Sequence, residues 1–356
     1  MERLAKIRGG LIDLGLDAVL ITDELNQRYA TGFAFTDGAV LVTLDRAFLL
    51  TDSRYIEAAQ KSVSGDITVR MFGAGKRLSQ LVREAMTECS VKMLGAEEFS
   101  LSHGAYLNWQ RVLGVELHPC QSLFYRLRAS KDEAEIRSMR RAQAIAEKAL
   151  DDVLGIIRPG ITERDIAAEI SYRMLKHGGE GNSFDPIAVT GANSSMPHGV
   201  PSDAVVREGD FITMDFGCIK DGYCSDMTRT VAVDHVTDEM RLVYDTVLNA
   251  QLAGIACCKA GVTGRDVDAA GRRIIEQAGY GDAFGHGFGH GVGLEIHEAP
   301  TASPRGNSPL PAGSIVTAEP GIYLPGRFGV RIEDMLYVIE DGCIDLTDAP
   351  KSLLIL

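Results

Sequence analysis

The sequence lacks any apolar run of 18 residues or more, the length at which a segment is interpreted as a membrane-spanning helix. It also lacks a basic segment followed by an apolar stretch at its start, where residues 1–10 are charged and predict an amphipathic helix. The 36 Lys and Arg are outnumbered by 49 Asp and Glu, and the formal charge of −13 argues against nucleic acid or an anionic membrane as partner. These absences predict a soluble, cytoplasmic protein.

Cysteine occurs only seven times, an odd number without regular spacing, which argues against a disulfide framework. We expect reduced thiols. Cys218 and Cys224 flank a turn, but their spacing fits no zinc pattern.

A chain of 356 residues with 45% apolar content can bury a substantial core, and its length predicts two domains. Residues 17–22, 38–42 and 47–50 are short apolar strands between helical segments, so residues 1–128 are predicted to form a small α/β domain. This domain offers no ligand cluster of its own. Residues 129–356 form the second predicted domain, which opens with a long helix starting near Lys131.

The second domain contains an internal repeat. The segment 159–166 recurs as 260–267, and Thr162 and Thr263, 101 residues apart, are predicted to cap helices in each copy. Asp165 and Asp266 would occupy the third helical position. Two copies indicate a pseudo-twofold domain, and a site between duplicated halves would draw residues from both.

Two carboxylates lie on opposite sides of a predicted hairpin turn. Asp215 ends the apolar strand 211–216, and Asp226 follows the turn signal Asp221-Gly222. A two-residue turn would pair Asp215 with Thr228 and place both Asp residues on one face. Such carboxylates repel each other unless a cation lies between them, so the pattern indicates a metal site.

A glycine-rich segment offers three imidazoles. Residues 285–293 contain five glycines, and His286, His290 and His297 fall within twelve residues. The glycines predict either close approach of the backbone or left-handed φ values. Imidazole is a common neutral metal ligand and proton carrier, so this segment is a candidate part of the same site.

Two further carboxylates lie on predicted strands near the end of the chain. Glu319 shares a strand face with Thr317, while Glu333 shares one with Arg331 and turns Val330 and Ile332 to the other side. Arg331 therefore points into the same space as Glu333. One interpretation is that Arg331 simply neutralises Glu333 or Glu319.

The order of these residues resembles the pita-bread metallopeptidases, in particular the prolidase and aminopeptidase P branch. The resemblance is carried by the histidine-rich stretch ending in Ile296-His297-Glu298, by the closing segment 329–334, and by five potential ligands: Asp215, Asp226, His290, Glu319 and Glu333. It covers the whole chain, strongly from about Arg128 onward. Phe288 departs from the family pattern, which more often has a smaller aliphatic residue there.

The resemblance implies a creatinase/prolidase-type N-terminal α/β domain that serves dimerisation or cleft closure, followed by a catalytic pita-bread domain. It further implies that Asp226 and Glu333 bridge two divalent ions, that Asp215 chelates one ion, and that His290 and Glu319 complete the other. Water held between ions roughly 3.5 to 4 Å apart would lose a proton and attack the scissile carbonyl. Mn or Co is favoured by the resemblance, with Zn or Fe as alternatives, and the oxygen-rich set disfavours Ca.

The resemblance also assigns residues that contact the substrate. His198 and His297 would act with Glu319 as catalytic residues, the two histidines by hydrogen-bonding the peptide and the tetrahedral intermediate. His286 and Arg331 match the proline-specific branch rather than the methionine aminopeptidases. Tyr323 resembles a substrate-side tyrosine of that branch, although a half-buried structural tyrosine is an alternative.

The sequence thus predicts a homodimeric metallopeptidase that hydrolyses the Xaa-Pro bond at the N-terminus of dipeptides or short peptides. Three alternatives share the fold: a broader or Met-type aminopeptidase, an inactive binding protein, and a creatinase-like amidinohydrolase. The last two are disfavoured because the family's ligands have all been kept.

Overall fold

The computed structural model describes residues 2–73 and 75–356 of the chain. These residues form two compact units, Met1–Arg128 and Ala129–Leu356. Within the described ranges, no helix is both long enough and apolar enough to cross a membrane.

The first unit is built around a mixed sheet. The elements are α1 Glu2–Leu14, β1 Ala18–Ile21, α2 Glu24–Thr31, β2 Gly38–Thr43, β3 Ala47–Thr51, α3 Ile56–Ser62, β4 Thr68–Met71, α4 Leu78–Glu88, β5 Leu94–Ala96, α5 His103–Leu113, β6 Leu117–Pro119 and α6 Gln121–Ala129. The described strands lie in the order β4-β3-β2-β1-β5-β6, with β1–β2 and β2–β3 antiparallel and the other neighbours parallel. The three strands predicted from the sequence are confirmed as β1, β2 and β3.

The second unit contains small antiparallel sheets covered by helices. Its elements are α7 Glu133–Leu154, α8 Glu163–Lys176, β7 Gly181–Asn182, β8 Ile187–Thr190, β9 Phe211–Phe216, β10 Cys218–Lys220, β11 Tyr223–Cys224, β12 Met227–Ala232, α9 Asp238–Cys257, α10 Gly264–Gln277, β13 Gly289–Gly291, β14 Glu298–Ala302, β15 Ile315–Ala318, β16 Gly321–Leu324, β17 Phe328–Arg331, β18 Asp334–Ile339 and β19 Gly342–Asp345. Short 3₁₀ turns span Gly191–Ser195 and Gly281–Ala283.

Both copies of the repeat begin a helix as predicted. Thr162 caps α8 and Thr263 caps α10, and each side chain accepts a hydrogen bond from the backbone N–H of the Asp three residues later. The long helix α7 begins after its cap Asp132, in agreement with the sequence pattern. Local capping chemistry therefore fixes where these helices start.

Two sheets meet where the functional residues lie. Strands β12, β9 and β8 form one sheet, and β14, β13, β15, β18 and β19 form another in that order. An isolated bridge between Thr228 and Glu333 joins β12 to the segment before β18. Apolar packing fixes this geometry, because Val330 and Ile332 are buried together with Phe211 against α9.

Candidate metal centre

The Asp215 and Asp226 hairpin has the register predicted from its turn. Lys220 pairs with Tyr223 and Asp215 with Thr228. Both turn residues have positive φ, 52° at Asp221 and 78° at Gly222, as a two-residue hairpin turn requires. The turn thereby brings both aspartates to one pocket wall.

The other three candidate ligands come from the second half of the unit. His290 lies in β13, Glu319 directly follows β15, and Glu333 lies between β17 and β18. Potential ligand atoms of Asp226, His290 and Glu333 lie within 4.8 Å of one another. Glu319 extends the group, since its Oε1 is 3.4 Å from Nε2 of His290.

The orientation of the His290 ring leaves one nitrogen available. Nδ1 lies 3.1 Å from the carbonyl of Gly291, which can only accept, so Nδ1 carries the proton. The unprotonated Nε2 then faces Oδ2 of Asp226 at 3.4 Å. Burial lowers the pKa of His290, which keeps the ring neutral, as a metal ligand must be.

Three buried carboxylate oxygens have no hydrogen-bond partner among the described residues: Asp215 Oδ1, Asp226 Oδ1 and Glu333 Oε1. Burial, together with repulsion from neighbouring carboxylates, raises the pKa of Asp226 and of Glu333. Burial also raises the pKa of Glu319 to about 8. Unsatisfied buried oxygens are costly, and a cation would satisfy them, so the residues fit divalent metal ions.

Two threonines orient carboxylates of this group. The hydroxyl of Thr228 donates to Oε2 of Glu333 at 2.7 Å and accepts from Nε of Arg331 at 3.1 Å. The hydroxyl of Thr317 donates to Oε1 of Glu319 at 3.3 Å and accepts from the backbone N–H of His290 at 3.0 Å. Their positions opposite Asp215 and beside Glu319 were visible in the sequence, but nothing there marked their hydroxyls as functional.

Arg331 pairs with a different carboxylate from those proposed on the sequence alone. Its Nη2 donates to Oδ2 of Asp215 at 2.5 Å, and both side chains are almost fully buried. The pairing with Glu333 or Glu319 is wrong because Arg331 reaches across to β9 instead. Its Nη1 donates to the hydroxyl of Tyr323 at 2.8 Å and to the carbonyl of Pro197 at 3.2 Å.

Tyr323 links Arg331 to His286. The carbonyl of Gly287 lies 2.8 Å from Nδ1 of His286, so that nitrogen donates, and Nε2 accepts from the Tyr323 hydroxyl at 2.9 Å. Burial and nearby Arg331 lower the pKa of His286 to about 4, which agrees with a neutral ring. Burial raises the pKa of Tyr323 to about 12, so the phenol keeps its proton.

A cavity of about 620 Å³ opens over this group, within the size range of small-ligand pockets. His198 and His297 both line it and are exposed to solvent. The ring of His297 lies 4.3 Å from that of His290, centroid to centroid, in an edge-to-face arrangement. Phe184, Ile187 and Ile296 provide an apolar side of the same cavity.

None of the five glycines of the 285–293 segment has positive φ, and four of them, all except Gly285, allow close approach of neighbouring atoms. A Cβ on Gly289 would lie 1.9 Å from the carbonyl oxygen of Thr317. Phe288, the departure from the family pattern, is fully buried, and Gly254 and Gly271 on α9 and α10 leave room for its ring. The larger side chain is therefore accommodated in the core against α9 and α10.

Comparisons with known proteins place this site in a family. Residues 137–340 match the model of metallopeptidase family M24, and residues 3–130 match the creatinase/prolidase N-terminal domain. The chain belongs to metallopeptidase family M24. The resemblance inferred from the sequence is thereby confirmed, as are the predicted pita-bread fold and its preceding creatinase-type domain.

Relatives of this M24 chain narrow the type of peptidase. A Xaa-Pro dipeptidase from Bacillus anthracis superposes with a TM-score of 0.95 at 41% identity, over 100% of this chain and 99% of the other. An X-Pro aminopeptidase from Thermotoga maritima gives 0.93 at 37% identity, over 98% and 100%. The Xaa-Pro dipeptidase of Pyrococcus furiosus is 34% identical over 99% of both chains. The chain is a metallopeptidase of the Xaa-Pro dipeptidase and aminopeptidase type, so the inactive-binding-protein alternative is set aside.

Proposed function

We propose that this centre hydrolyses the bond between an N-terminal residue and proline in dipeptides or short peptides, using two divalent ions. The observation that carries the proposal is the group of buried carboxylates around His290, with three unpaired oxygens, beside a pocket lined by Arg331. Assays of Ala-Pro, Ala-Pro-Ala and Met-Ala with added Mn or Co test it. Faster cleavage of Met-Ala than of Ala-Pro would instead support a Met-type aminopeptidase.

The charge of the group supports two ions. Metal ligands must be deprotonated, and with all four carboxylates ionised and His290 neutral, they and the guanidinium of Arg331 sum to a formal charge of minus three. One bound divalent ion would change this formal charge to minus one, and two ions would change it to plus one. A second ion therefore turns the pocket attractive to the electron-rich oxygen of a scissile carbonyl.

Each proposed ligand role has support in the donor atoms. Asp226 and Glu333 offer ligand atoms within 4.8 Å of each other, and each keeps a buried oxygen without a hydrogen-bond partner for a second ion. Asp215 would chelate one ion, while His290 and Glu319, 3.4 Å apart, would complete the other. When bound, the ions supply an acidified water as nucleophile and polarise the scissile carbonyl, with Mn or Co as our choice.

His198 and His297 would bind the reacting amide. Both line the cavity, and neither belongs to the group of closest metal donors. Partial burial and the neighbouring His290 ring lower the pKa of His297, so a neutral imidazole would offer its N–H to the developing oxyanion. These histidines therefore act on the substrate, whereas Glu319 acts through its bound ion.

His286 and Arg331, which both line the cavity and are linked through the Tyr323 hydroxyl, would form the proline-recognising wall. Both ring nitrogens of His286 are already engaged, one with Gly287 and one with Tyr323. His286 can therefore offer the cavity only its carbon edge and ring face, which suits the apolar pyrrolidine ring better than a polar group. Arg331 would seat the substrate beyond the scissile bond while holding Asp215 in place.

The sequence also predicted a homodimer and a cytoplasmic location, and both stay predictions. Light scattering on the purified protein tests the first. A dimerisation or cleft-closing role of residues 1–128 is tested by whether substitutions there change the oligomeric state or the preference between Ala-Pro and Ala-Pro-Ala.

A further inference from the structure

A buried ion pair lies outside the set of proposed ligands and substrate residues. Nζ of Lys131 is 2.7 Å from Oε1 of Glu298, and the two side chains are only 1% and 4% exposed. Burying two charges costs desolvation free energy that their attraction often fails to offset, so stability alone explains such a pair poorly. Glu298 directly follows His297 in the chain, which indicates another role.

The carboxylate of Glu298 closes the turn that carries His297. Its Oε2 accepts from the backbone N–H of Glu295 at 3.4 Å, and the N–H of Gly293 donates to the carbonyl of Glu295 at 2.9 Å. Glu298 also pairs with Gly291 at a bulge in the β13–β14 ladder, next to His290. The turn 293–297 is thus closed by its own hydrogen bonds, and Glu298 at its end pairs with the strand that presents His290.

Gly293 shows how closely the turn fits this carboxylate. A Cβ on Gly293 would lie 2.2 Å from Oε1 of Glu298, and the next two nearest atoms belong to the same carboxylate. The φ of Gly293 lies outside the left-handed region, so backbone strain does not exclude alanine there. The nearest obstacle to a side chain at position 293 is therefore the Glu298 carboxylate.

The backbone of Lys131, whose side chain binds the Glu298 carboxylate, is itself held by hydrogen bonds. Its backbone N–H donates to the carbonyl of Gly313 at 2.8 Å, and the next residue, Asp132, caps α7. Nζ also lies 3.4 Å from the carbonyl of Ala129. An otherwise flexible glutamate side chain is therefore confined to one position.

We infer that the Lys131–Glu298 ion pair is a positioning element that holds His297 beside His290, at the 4.3 Å ring separation seen here. This inference rests on the proposed role of His297 in binding the reacting amide. Releasing the carboxylate frees the turn 293–297 and lets the His297 ring leave its place. Small misplacements of a group that contacts the reacting atoms can cost about 10²-fold in rate.

The first test compares Glu298→Ala in the wild-type and His297→Ala backgrounds, with Mn-loaded full-length enzyme and an Ala-Pro substrate. We expect kcat to fall about 10- to 100-fold in the first background and by less than about twofold in the second, with KM little changed. Ile170→Ala, in the buried core of α8, is the matched control for stability loss and is expected to spare kcat. An equal loss in both backgrounds would overturn the inference.

The second test uses Gly293→Ala, which keeps both charges of the ion pair and so covers the case in which Glu298→Ala fails to fold. Gly293→Ala is expected to lower kcat, and Lys131→Met, which removes the cation, is expected to lower it in the same way. In zinc-loaded enzyme at fixed pH, the His297 ring resonance, assigned with His297→Ala, is expected to shift in both variants and not in Ile170→Ala. An unchanged resonance would overturn the inference.

The two readouts separate this inference from the proposed function. If His297→Ala keeps normal kcat, the catalytic role of His297 fails, yet the ring resonance still decides whether the ion pair positions it. If His297→Ala loses activity while Gly293→Ala leaves both kcat and the resonance unchanged, the positioning role fails and the proposed function stands.

Discussion

Replacing Thr228 with valine is expected to weaken metal binding without removing any proposed ligand. The hydroxyl of Thr228 donates to Oε2 of Glu333 and accepts from Nε of Arg331, so the change removes both contacts. Because the Thr228 hydroxyl binds Oε2 of Glu333, Oε1 is the oxygen that remains without a hydrogen-bond partner. The isosteric side chain should leave the packing of this fully buried position almost unchanged.

The size of the effect follows from the bond that is lost. A hydrogen bond to a charged group contributes about 1.5–3 kcal/mol. At about 1.4 kcal/mol for each tenfold change, this corresponds to roughly 10- to 100-fold weaker Mn binding. Mutation of residues that hold metal ligands in place lowers metal affinity by a similar factor, about 10- to 100-fold. Raising the free Mn concentration in the assay should therefore restore the activity of Thr228→Val.

Isothermal titration of the metal-free protein and activity at varied free Mn measure this change. Thr228→Ser keeps the hydroxyl and should bind Mn nearly as wild type does. Thr213→Val is the matched control, because that buried hydroxyl bonds to Thr230 and to no proposed ligand. Equal Mn affinity in Thr228→Val and Thr213→Val would refute the reasoning that the Thr228 hydroxyl sets the orientation of Glu333.

Alanine at Glu333 is expected to abolish turnover and stoichiometric metal binding, because the remaining carboxylates would surround an underfilled site. Metal content is measured by plasma mass spectrometry, and two bound ions with normal turnover would contradict the bridging role. Alanine at His198 or His297 should lower kcat about 10²- to 10³-fold with metal content intact, and loss of metal would show that a ligand was mistaken for a catalyst. Alanine at Arg331 should reduce kcat/KM for Ala-Pro more than for Ala-Ala at saturating Mn, and it should weaken Mn binding because it releases Asp215. A lower melting temperature with an unchanged substrate profile would instead indicate simple charge pairing. Chelation should lower the melting temperature, and Mn should restore it in a concentration-dependent way; an unaffected melting temperature would count against a buried metal centre.

Features set by near neighbours in the chain were predictable from the sequence. The Asp221-Gly222 turn fixed the hairpin register that pairs Asp215 with Thr228, because each paired position follows from counting outward from the turn. The caps Thr162 and Thr263 follow from bonds within four residues. These features depend on local backbone chemistry, which the residue types at short spacing already determine.

Features set by contacts between distant segments were not predictable in the same way. Arg331 shares a strand face with Glu333, which suggested a pairing within the strand, yet its guanidinium bonds Asp215, 116 residues earlier in the chain. The long side chain bypasses its neighbour because the Thr228–Glu333 bridge brings the two sheets together. Tyr323 is 6% exposed, and its hydroxyl bonds both Arg331 and His286, two partners that its place in the sequence did not reveal. Its contact with substrate stays a prediction.

Thr228 and Thr317, which bond the carboxylates of the site, could not be recognised as functional from their residue type. Threonine is common in strands for its shape, so neither position carried a chemical signal before the strands were aligned. Once aligned, each hydroxyl has its proton directed at a carboxylate and its lone pair directed at an N–H group. Reversing either bond is impossible, since Arg331 Nε and the His290 backbone can only donate. These bonds therefore orient Glu333 and Glu319 through one oxygen each, and both carboxyl groups must give up their proton when a divalent ion binds.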